Sequence, residues 1–199
     1  MKKLFFILLS FFFLSVNLHS KGFYNGNIQI DLGNNINKIS YESTSEKSSS
    51  FEFGIETWHT FKLPFLLEVG FMFDLDMGFD DIESDYLNMN VYFLEGPAIA
   101  FNLLNIVKFN VAAGLAFNAI LNAQPPYANM LANFGFGLNI QALALPASPV
   151  SPILGYKFAV TPGNKIYTFD TNEKDFDSIS TSNYVIFKNE FYLGISFNW

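Results

Sequence analysis

The segment from Phe65 to Phe79 alternates between apolar and polar or small residues, and this pattern constrains the fold more than any other. Its first face carries Phe65, Leu67, Val69, Phe71, Phe73, Leu75, Met77 and Phe79, and its second carries Leu66, Glu68, Gly70, Met72, Asp74, Asp76 and Gly78. A period of two residues places alternate side chains on opposite faces of a β-strand. Burying acidic groups in a protein core without partners is costly, whereas a polar barrel interior surrounded by lipid accommodates them.

Seven other segments alternate in the same way, and together they predict an all-β chain. They span approximately residues 24–32, 51–59, 86–101, 107–121, 131–142 and 153–161, with an eighth strand that ends the chain. Eight is the smallest even strand number of a bacterial membrane barrel. The sequence therefore predicts a transmembrane antiparallel up-and-down β-barrel of eight strands with both termini on the periplasmic side. A secreted β-sandwich with two apolar sheets is the alternative.

The volume of the side chains decides which face points inward. An eight-stranded barrel encloses little more than its own inward side chains. The apolar face is rich in Phe, and the opposite face is rich in Gly, Asn, Ala and Ser, so only the second set fits inside. Aromatic residues are expected to form rims at the two membrane interfaces. The predicted rims are Phe23, Tyr24, Trp58, Phe61, Phe197 and Trp199 at the periplasmic end, and Tyr86, Tyr127 and Tyr184 at the outer end.

The first twenty residues predict a secretory signal peptide. Lys2 and Lys3 precede an apolar run from residue 4 to residue 16, followed by a plausible cleavage point at residue 20. We therefore expect a cleaved segment 1–20 and one barrel domain over residues 21–199. The chain contains no Cys, which excludes both a lipoprotein anchor and a disulfide framework.

The charge of the chain excludes one class of partner. All 11 basic residues are Lys, against 18 acidic residues, and loss of the signal peptide removes two of the Lys. The mature chain is therefore more acidic than the formal net charge of −7 of the full sequence. Nucleic acid requires a basic surface, so we expect no nucleic-acid partner.

The connections between strands are predicted to alternate in length, with long extracellular loops and short periplasmic turns. The two longest polar stretches are 33–50 and 162–183, and both are expected to be extracellular loops that contact host or environmental ligands. The fourth strand contains Glu95 and Pro97 on its lipid-facing parity. We expect a β-bulge at Gly96–Pro97 that moves Glu95 away from lipid, or else a shorter strand.

The closing strand carries the feature by which the chain resembles a known family. Its alternate apolar residues are Phe191, Leu193, Ile195, Phe197 and Trp199, with Asn189 interrupting the series before Phe187 and Val185. We expect this face to meet lipid and the strand to pair with strand one near residues 24–32. In its strand pattern and terminal aromatic residue, the chain resembles small eight-stranded bacterial outer-membrane β-barrels of the OmpA, OmpX and OmpW kind.

This resemblance implies an integral protein of the outer membrane. We expect outer-membrane lipids to surround a monomer and the barrel-assembly machinery to recognise the closing strand. A resemblance to OmpW further implies, as the alternative function, a narrow channel for small or hydrophobic solutes.

The predicted inward face contains a set of charged residues. They are Glu52, Glu56, Glu68, Asp74, Asp76, Lys108, Lys157, Lys188 and Glu190. These side chains either plug the lumen through charged hydrogen-bond networks or line a cation-preferring path. We favour the plug, and with it a structural or surface-interaction role.

We expect no enzyme activity, no cofactor and no metal site. His59 is the only histidine after the predicted signal peptide and is expected at the membrane interface on the outward face. No partner residues for a catalytic triad are indicated, and a zinc site is not expected from one His and no Cys.

Overall fold

A computed structural model of the protein describes residues 24–41, 44–80, 87–124, 126–170 and 175–199. The predicted signal peptide, Phe23 and Tyr86 lie outside the described residues. None of the described residues forms a helix with the length and hydropathy needed to cross a membrane.

Eight antiparallel strands form a closed barrel, as the alternation predicted. They are β1 (Tyr24–Ser40), β2 (Ser45–Lys62), β3 (Leu67–Asp80), β4 (Leu87–Leu103), β5 (Val107–Gln124), β6 (Tyr127–Ala144), β7 (Val150–Asp170) and β8 (Asp175–Asn198). Each strand pairs with the next, and β1 pairs with β8 from Asn27↔Asn198 to Ser40↔Val185. The predicted pairing of the closing strand with strand one is confirmed.

The stagger of the strands sets the width of the barrel. Paired residues followed once around the wall from Ile28 return to β1 at Lys38, ten residues further along. The path passes through Thr57, Phe73, Glu95, Leu115, Phe136, Val160 and Phe187. This stagger on eight strands corresponds to a strand tilt of roughly 40° and a radius of about 8 Å. The interior therefore holds side chains rather than an open pore.

The two faces of the wall have opposite chemistry. Large apolar side chains cover the outside, with Phe51, Leu115 and Phe134 exposed by 60%, 73% and 73%. Most of the buried side chains inside are polar, charged or small. A closed barrel with an apolar exterior and a polar interior is the arrangement that spans a lipid bilayer.

The two predicted long loops, 33–50 and 162–183, were wrong as loops. Most of their residues belong to paired strands, because β1 and β2 continue to Ser40↔Ser45, and β7 and β8 continue to Asp170↔Asp175. Strand pairing needs only backbone groups. Beyond the part of the wall that faces lipid, neither face of the sheet has to be apolar. The alternation of apolar and polar residues therefore stops while the strands continue. The extra length of these strands lies at the end of the barrel opposite the chain termini. We call this end the loop end, and we call the end with the chain termini the terminal end.

The predicted bulge at Gly96–Pro97 was also wrong. The registers of β3–β4 and β4–β5 are the same on both sides of these residues, so β4 keeps its phase and Glu95 stays on the outward face. Between Glu95↔Leu115 and Ala98↔Ala112 no partners are assigned on the β5 side, and Gly96 and Gly114 approach there without side chains. The missing Pro N–H is thus absorbed by a local gap in pairing rather than by an extra residue.

Two aromatic residues predicted at the membrane rims lie inside the barrel instead. Trp58 and Tyr184 are each 1% exposed and face the lumen. Both occupy the inward parity of their strands, opposite neighbours that leave room for a large ring. Tyr24, Phe61, Phe197 and Trp199 do lie at the terminal end on the outward face, where Tyr24 packs on Phe61 with ring centroids 5.6 Å apart.

Candidate functional site

A cluster of buried acidic residues and lysines lies across the middle of the lumen, and we call it the ionic layer. Its members are Asp31 on β1, Glu52 and Glu56 on β2, Asp74 and Asp76 on β3, Lys157 on β7, and Lys188 and Glu190 on β8. Each of these residues is at most 1% exposed. Six carboxyl groups therefore share two ammonium groups in the interior of the barrel.

Lys157 is the centre of one half of the ionic layer. Its Nζ lies 2.6 Å from Asp76 Oδ1, 3.0 Å from Asp74 Oδ1 and 3.1 Å from Glu56 Oε1. Asp31 Oδ2 is further away, at 3.6 Å, and neither oxygen of Asp31 has a hydrogen-bond donor among the described residues. One ammonium group therefore joins carboxylates from three strands to β7 across the lumen.

Lys188 is the centre of the other half. It forms an ion pair with Glu52, and its Nζ lies 2.9 Å from Glu190 Oε2 and 3.0 Å from Asp76 Oδ2. Asp76 thus accepts hydrogen bonds from both lysines and links the two halves. Each ammonium group also lies over an aromatic ring, with Lys188 Nζ 4.2 Å from the ring centroid of Tyr92.

Neutral side chains also donate hydrogen bonds to these carboxylates. Asn35 and Asn90 each donate to Glu52 Oε1. On the other half, Trp58 Nε1 donates to Glu56 Oε2 at 2.9 Å, and Asn139 Nδ2 donates to Glu56 Oε1 at 2.9 Å. Donors with few rotamers, such as the buried indole, fix the carboxylate positions and favour a single geometry of the layer.

A separate ion pair lies nearer the terminal end. Lys108 Nζ is 2.6 Å from Glu68 Oε2, which also accepts a hydrogen bond from Thr60 Oγ1 at 2.5 Å. Asn25 Nδ2 donates to the other oxygen of Glu68 at 2.7 Å. This pair is one-to-one, in contrast to the six carboxyl groups and two lysines of the ionic layer.

An apolar cluster, which we call the cap, closes the lumen on the other side of the ionic layer. Its buried members are Ile120, Leu131, Tyr184 and Ile186, with Ile39, Tyr41 and Ile166 packed against them. Tyr184 Oη donates to the backbone oxygen of Lys165 at 2.8 Å, which anchors the ring. Between the cap and the ionic layer lie buried polar side chains such as Asn118 and Thr161.

The wall opposite the ionic layer has small inward residues. Ala112 and Ala116 on β5, Ala98 on β4 and Gly137 on β6 face the lumen there. A Cβ added to Gly137 would lie 2.6 Å from Tyr92 Oη and 2.7 Å from Leu94 Cδ1. The long charged and aromatic side chains therefore use the volume that these small residues leave.

Among the residues that the structure describes, two groups of three carboxylates come close enough to hold a cation. They are Asp31 with Asp74 and Asp76, and Glu52 with Asp76 and Glu190. Each group already surrounds an ammonium group, Lys157 in the first and Lys188 in the second. The lysines thus hold the positions that a metal ion would need.

His59 lies on the outward face near the terminal end, half-buried beside Tyr24. The Tyr24 hydroxyl and His59 Nδ1 are hydrogen-bonded, and the two rings stack with centroids 6.0 Å apart. No carboxylate or hydroxyl group of the described residues joins them in the arrangement of a catalytic triad.

The structure places all nine charged residues selected from the sequence in the lumen. It brings seven of them into the ionic layer and leaves Glu68 and Lys108 as the separate pair. Asp31 was not selected from the sequence, although it alternates with the apolar residues Ile30 and Leu32 of β1 and therefore has the inward parity. Three aromatic residues also contact the ionic layer: Tyr92, Trp58 and Tyr192, whose ring centroid lies 4.6 Å from Lys157 Nζ. They are uncharged, so the search of the sequence for charged residues missed them.

Comparison with known proteins identifies the fold. Neisserial surface protein A (NspA) superposes with a TM-score of 0.54 at 13% identity, covering 85% of this chain and 96% of that one. Ail, the attachment invasion locus protein of Yersinia pestis, gives a TM-score of 0.54 at 9% identity, covering 87% and 99%. The chain therefore has the fold of the small outer-membrane β-barrels, as predicted.

The same fold also occurs in proteins of other activities. The outer-membrane protease OmpT of Escherichia coli superposes with a TM-score of 0.50 at 7% identity, covering 93% of this chain and all of that one. Comparison of sequences finds no matching family model and no matching curated protein. The activity of this barrel must therefore be argued from its own side chains.

Proposed function

We propose that the protein is an integral outer-membrane barrel with a closed lumen, which acts through the surface of its loop end and neither conducts solutes nor catalyses a reaction. The observation that carries this proposal is the complete burial of the ionic layer. Its lysines connect strands on opposite sides of the lumen, so a solute would have to break several charge-assisted hydrogen bonds to pass.

The cap supports the same proposal independently. It fills the lumen with apolar side chains on the loop-end side of the ionic layer. Ions cannot be solvated by such a cluster, and its members come from five different strands and the link after β1. Two barriers of opposite chemistry therefore lie in series along the barrel axis.

The extended hairpins support a surface role. The β1–β2 and β7–β8 ladders continue to Ser40↔Ser45 and Asp170↔Asp175. Paired strands present side chains in fixed positions, whereas an unpaired polar loop would have to be ordered on binding. We propose these hairpins, within 33–50 and 162–183, as the surface that host or environmental ligands contact.

Single-channel recording in planar lipid bilayers tests the closed lumen. The purified wild-type protein is expected to give no reproducible openings. A cap variant, Tyr184→Ala with Ile186→Ala, should still give none, because the ionic layer remains intact. A variant that also carries Lys157→Ser and Lys188→Ser should give cation-selective openings, because the lysines no longer hold the carboxylates together.

The result that would overturn the closed lumen is equally specific. Reproducible wild-type openings that disappear in Glu68→Gln with Asp74→Asn would show a cation path and favour the narrow channel, the alternative function. Heat-modifiable mobility on gels, recorded for each variant, separates a change in conductance from a failure to fold.

The proposed recognition of the closing strand by the barrel-assembly machinery has its own test. Its lipid-facing residues are Phe191, Leu193, Ile195, Phe197 and Trp199. Removal of Trp199 should reduce the folded fraction in the outer membrane of cells far more than refolding of purified chain into detergent. Equal losses in the two assays would assign Trp199 a purely structural role, since its ring covers Gly26 and its backbone pairs with that residue.

A further inference from the structure

A cavity of about 840 Å³ opens at the loop end, above the cap. We call it the cup, and its lining residues are Asn88, Asn122, Gln124, Pro126, Tyr127, Asn129 and Thr168. This volume lies in the range of small-molecule binding sites. The cup is formed by the ends of β4, β5, β6 and β7, so its walls are part of the barrel ladder.

The register of the strands aligns the polar residues of the cup in one row. Asn88 pairs with Asn122, Asn122 pairs with Asn129, and Asn129 pairs with Thr168. All four lie on the inward face. Asn122 and Asn129 are two residues from the buried cap residues Ile120 and Leu131. Asn88 is two residues from the buried Asn90, and Thr168 is two residues from Ile166, which packs against the cap. Three amides and a hydroxyl group therefore stand side by side above an apolar floor.

The side chains of this row are available to a ligand. Among the described residues, no side-chain hydrogen bond joins Asn88, Asn122 or Asn129 to another group, in contrast to the amides of Asn35 and Asn139 within the barrel. Asn122 and Asn129 are exposed, and Tyr127 at the edge of the cup is 59% exposed. The cup thus combines free amides with an accessible aromatic ring.

The chemistry of the lining selects among ligand classes. No charged residue lines the cup within the described part of the chain, although the protein as a whole is strongly acidic. Anionic groups therefore find no counter-charge, since the paired neighbours of the cup, Asp80 beside Asn88 and Asp170 beside Tyr127, are acidic. Each amide offers both a donor and an acceptor, which matches a ligand that carries many hydroxyl groups. An exposed aromatic ring packs on the C–H face of a sugar ring while its hydroxyl group bonds to water or ligand.

We propose that the cup binds an uncharged carbohydrate, with the amide row of Asn88, Asn122 and Asn129 contacting its hydroxyl groups and Tyr127 packing against one sugar ring. This inference deepens the proposed surface role and rests on it, since the loop end must face an aqueous space that contains glycans. It does not depend on the closed lumen, so the conductance test and the binding test can fail separately.

The binding test uses the full-length barrel in a detergent without a sugar headgroup, such as lauryldimethylamine oxide. The probes are maltotriose, cellotriose and tri-N-acetylchitotriose, titrated by isothermal calorimetry, with a sulfated heparin hexasaccharide as the charged probe. We expect at least one uncharged trisaccharide to bind with a dissociation constant below about 10 mM and the heparin hexasaccharide not to bind. An alkyl maltoside serves as an additional competitor for a maltotriose site.

Variants assign any binding to the cup. Tyr127→Ala should raise the dissociation constant about tenfold, and Asn122→Ala with Asn129→Ala should raise it at least as much. The matched control is Asn34→Ala, which removes an exposed amide from the outward face of β1 and should leave the constant unchanged. Heat-modifiable gel mobility confirms that each variant is folded.

Three outcomes would overturn the proposal. They are the absence of binding by every uncharged probe, binding that the cup variants leave unchanged, and binding of the heparin hexasaccharide alone. The surface role would survive the first two outcomes if other ligands bind the hairpins, whereas reproducible wild-type conductance would overturn the closed lumen without affecting the cup.

Discussion

The two walls of the lumen are built from different residues, although they belong to one continuous sheet. The wall of β1, β2, β3, β7 and β8 carries all members of the ionic layer. Over the same height, the wall of β4, β5 and β6 carries mainly Ala, Gly, Leu and amide side chains. Lys108 on β5 is its one inward charged residue among those described, and it pairs with Glu68 on β3.

The difference shows how a narrow barrel accommodates a large polar network. Because the barrel has a radius of about 8 Å, long side chains can cross the lumen only if the facing wall carries small side chains. The small residues of β4–β6 therefore have a structural role as definite as that of the charges. Their effect is steric, and the effect of the charged wall is electrostatic, so the two walls should respond differently to substitution.

The largest effect is expected from removing a central ammonium group. Lys157→Met should lower the free energy of unfolding by about 3–5 kcal/mol, because Asp74, Asp76 and Glu56 would lose their shared cation while remaining buried. Urea unfolding in lipid vesicles, followed by Trp fluorescence, measures the change.

Two further variants control this measurement. Lys47→Met, at an exposed position of β2, should change stability by less than about 0.5 kcal/mol. Adding Asp76→Asn to Lys157→Met should recover part of the loss, because one buried charge is removed. If both lysine variants had the same effect, the ionic layer would not stabilise the barrel more than a surface charge does.

A smaller effect is expected from enlarging one of the small inward residues of β4–β6. Gly137→Val should lower the free energy of unfolding by about 1–3 kcal/mol, because its Cβ would meet Tyr92 and Leu94. Ala119→Leu, on the outward face of β5, adds more volume and should be tolerated in lipid. A Gly137→Val barrel of wild-type stability in the same unfolding assay would show that the lumen has spare volume.

The smallest of the three effects is expected at the separate ion pair. Lys108→Met should cost about 1–2 kcal/mol, less than Lys157→Met, because Thr60 and Asn25 continue to donate hydrogen bonds to Glu68. Side-by-side unfolding curves give the comparison. A larger loss for Lys108→Met than for Lys157→Met would reverse the ranking of the two sites.

The fold and the faces of the strands could be predicted from the sequence, because lipid on one side and a small polar lumen on the other impose a strict period of two. The strand ends could not, because beyond the lipid the pairing of 35–40 with 45–50 places no demand on side-chain polarity. The bulge at Gly96–Pro97 was predicted from a local rule, whereas the neighbouring glycine at position 114 allows the strand to keep its phase.

The partners within the site depend on information that no single strand contains. That Lys157 meets Asp74 and Asp76 follows from the stagger of ten residues around the ring, which only the combined registers define. The inward position of Trp58 similarly depends on small residues of other strands. Asp31 is the exception, since its strand parity was sufficient to place it in the lumen.

The order of the charges along the chain has a consequence for how the barrel is made. Five of the six carboxylates of the ionic layer belong to β1, β2 and β3, and both lysines belong to β7 and β8. During synthesis the acidic segment therefore emerges first and stays unneutralised until the last two strands follow. We expect attraction between the early and late strands to favour the joining of β1 with β8, which would close the wall and neutralise its interior together.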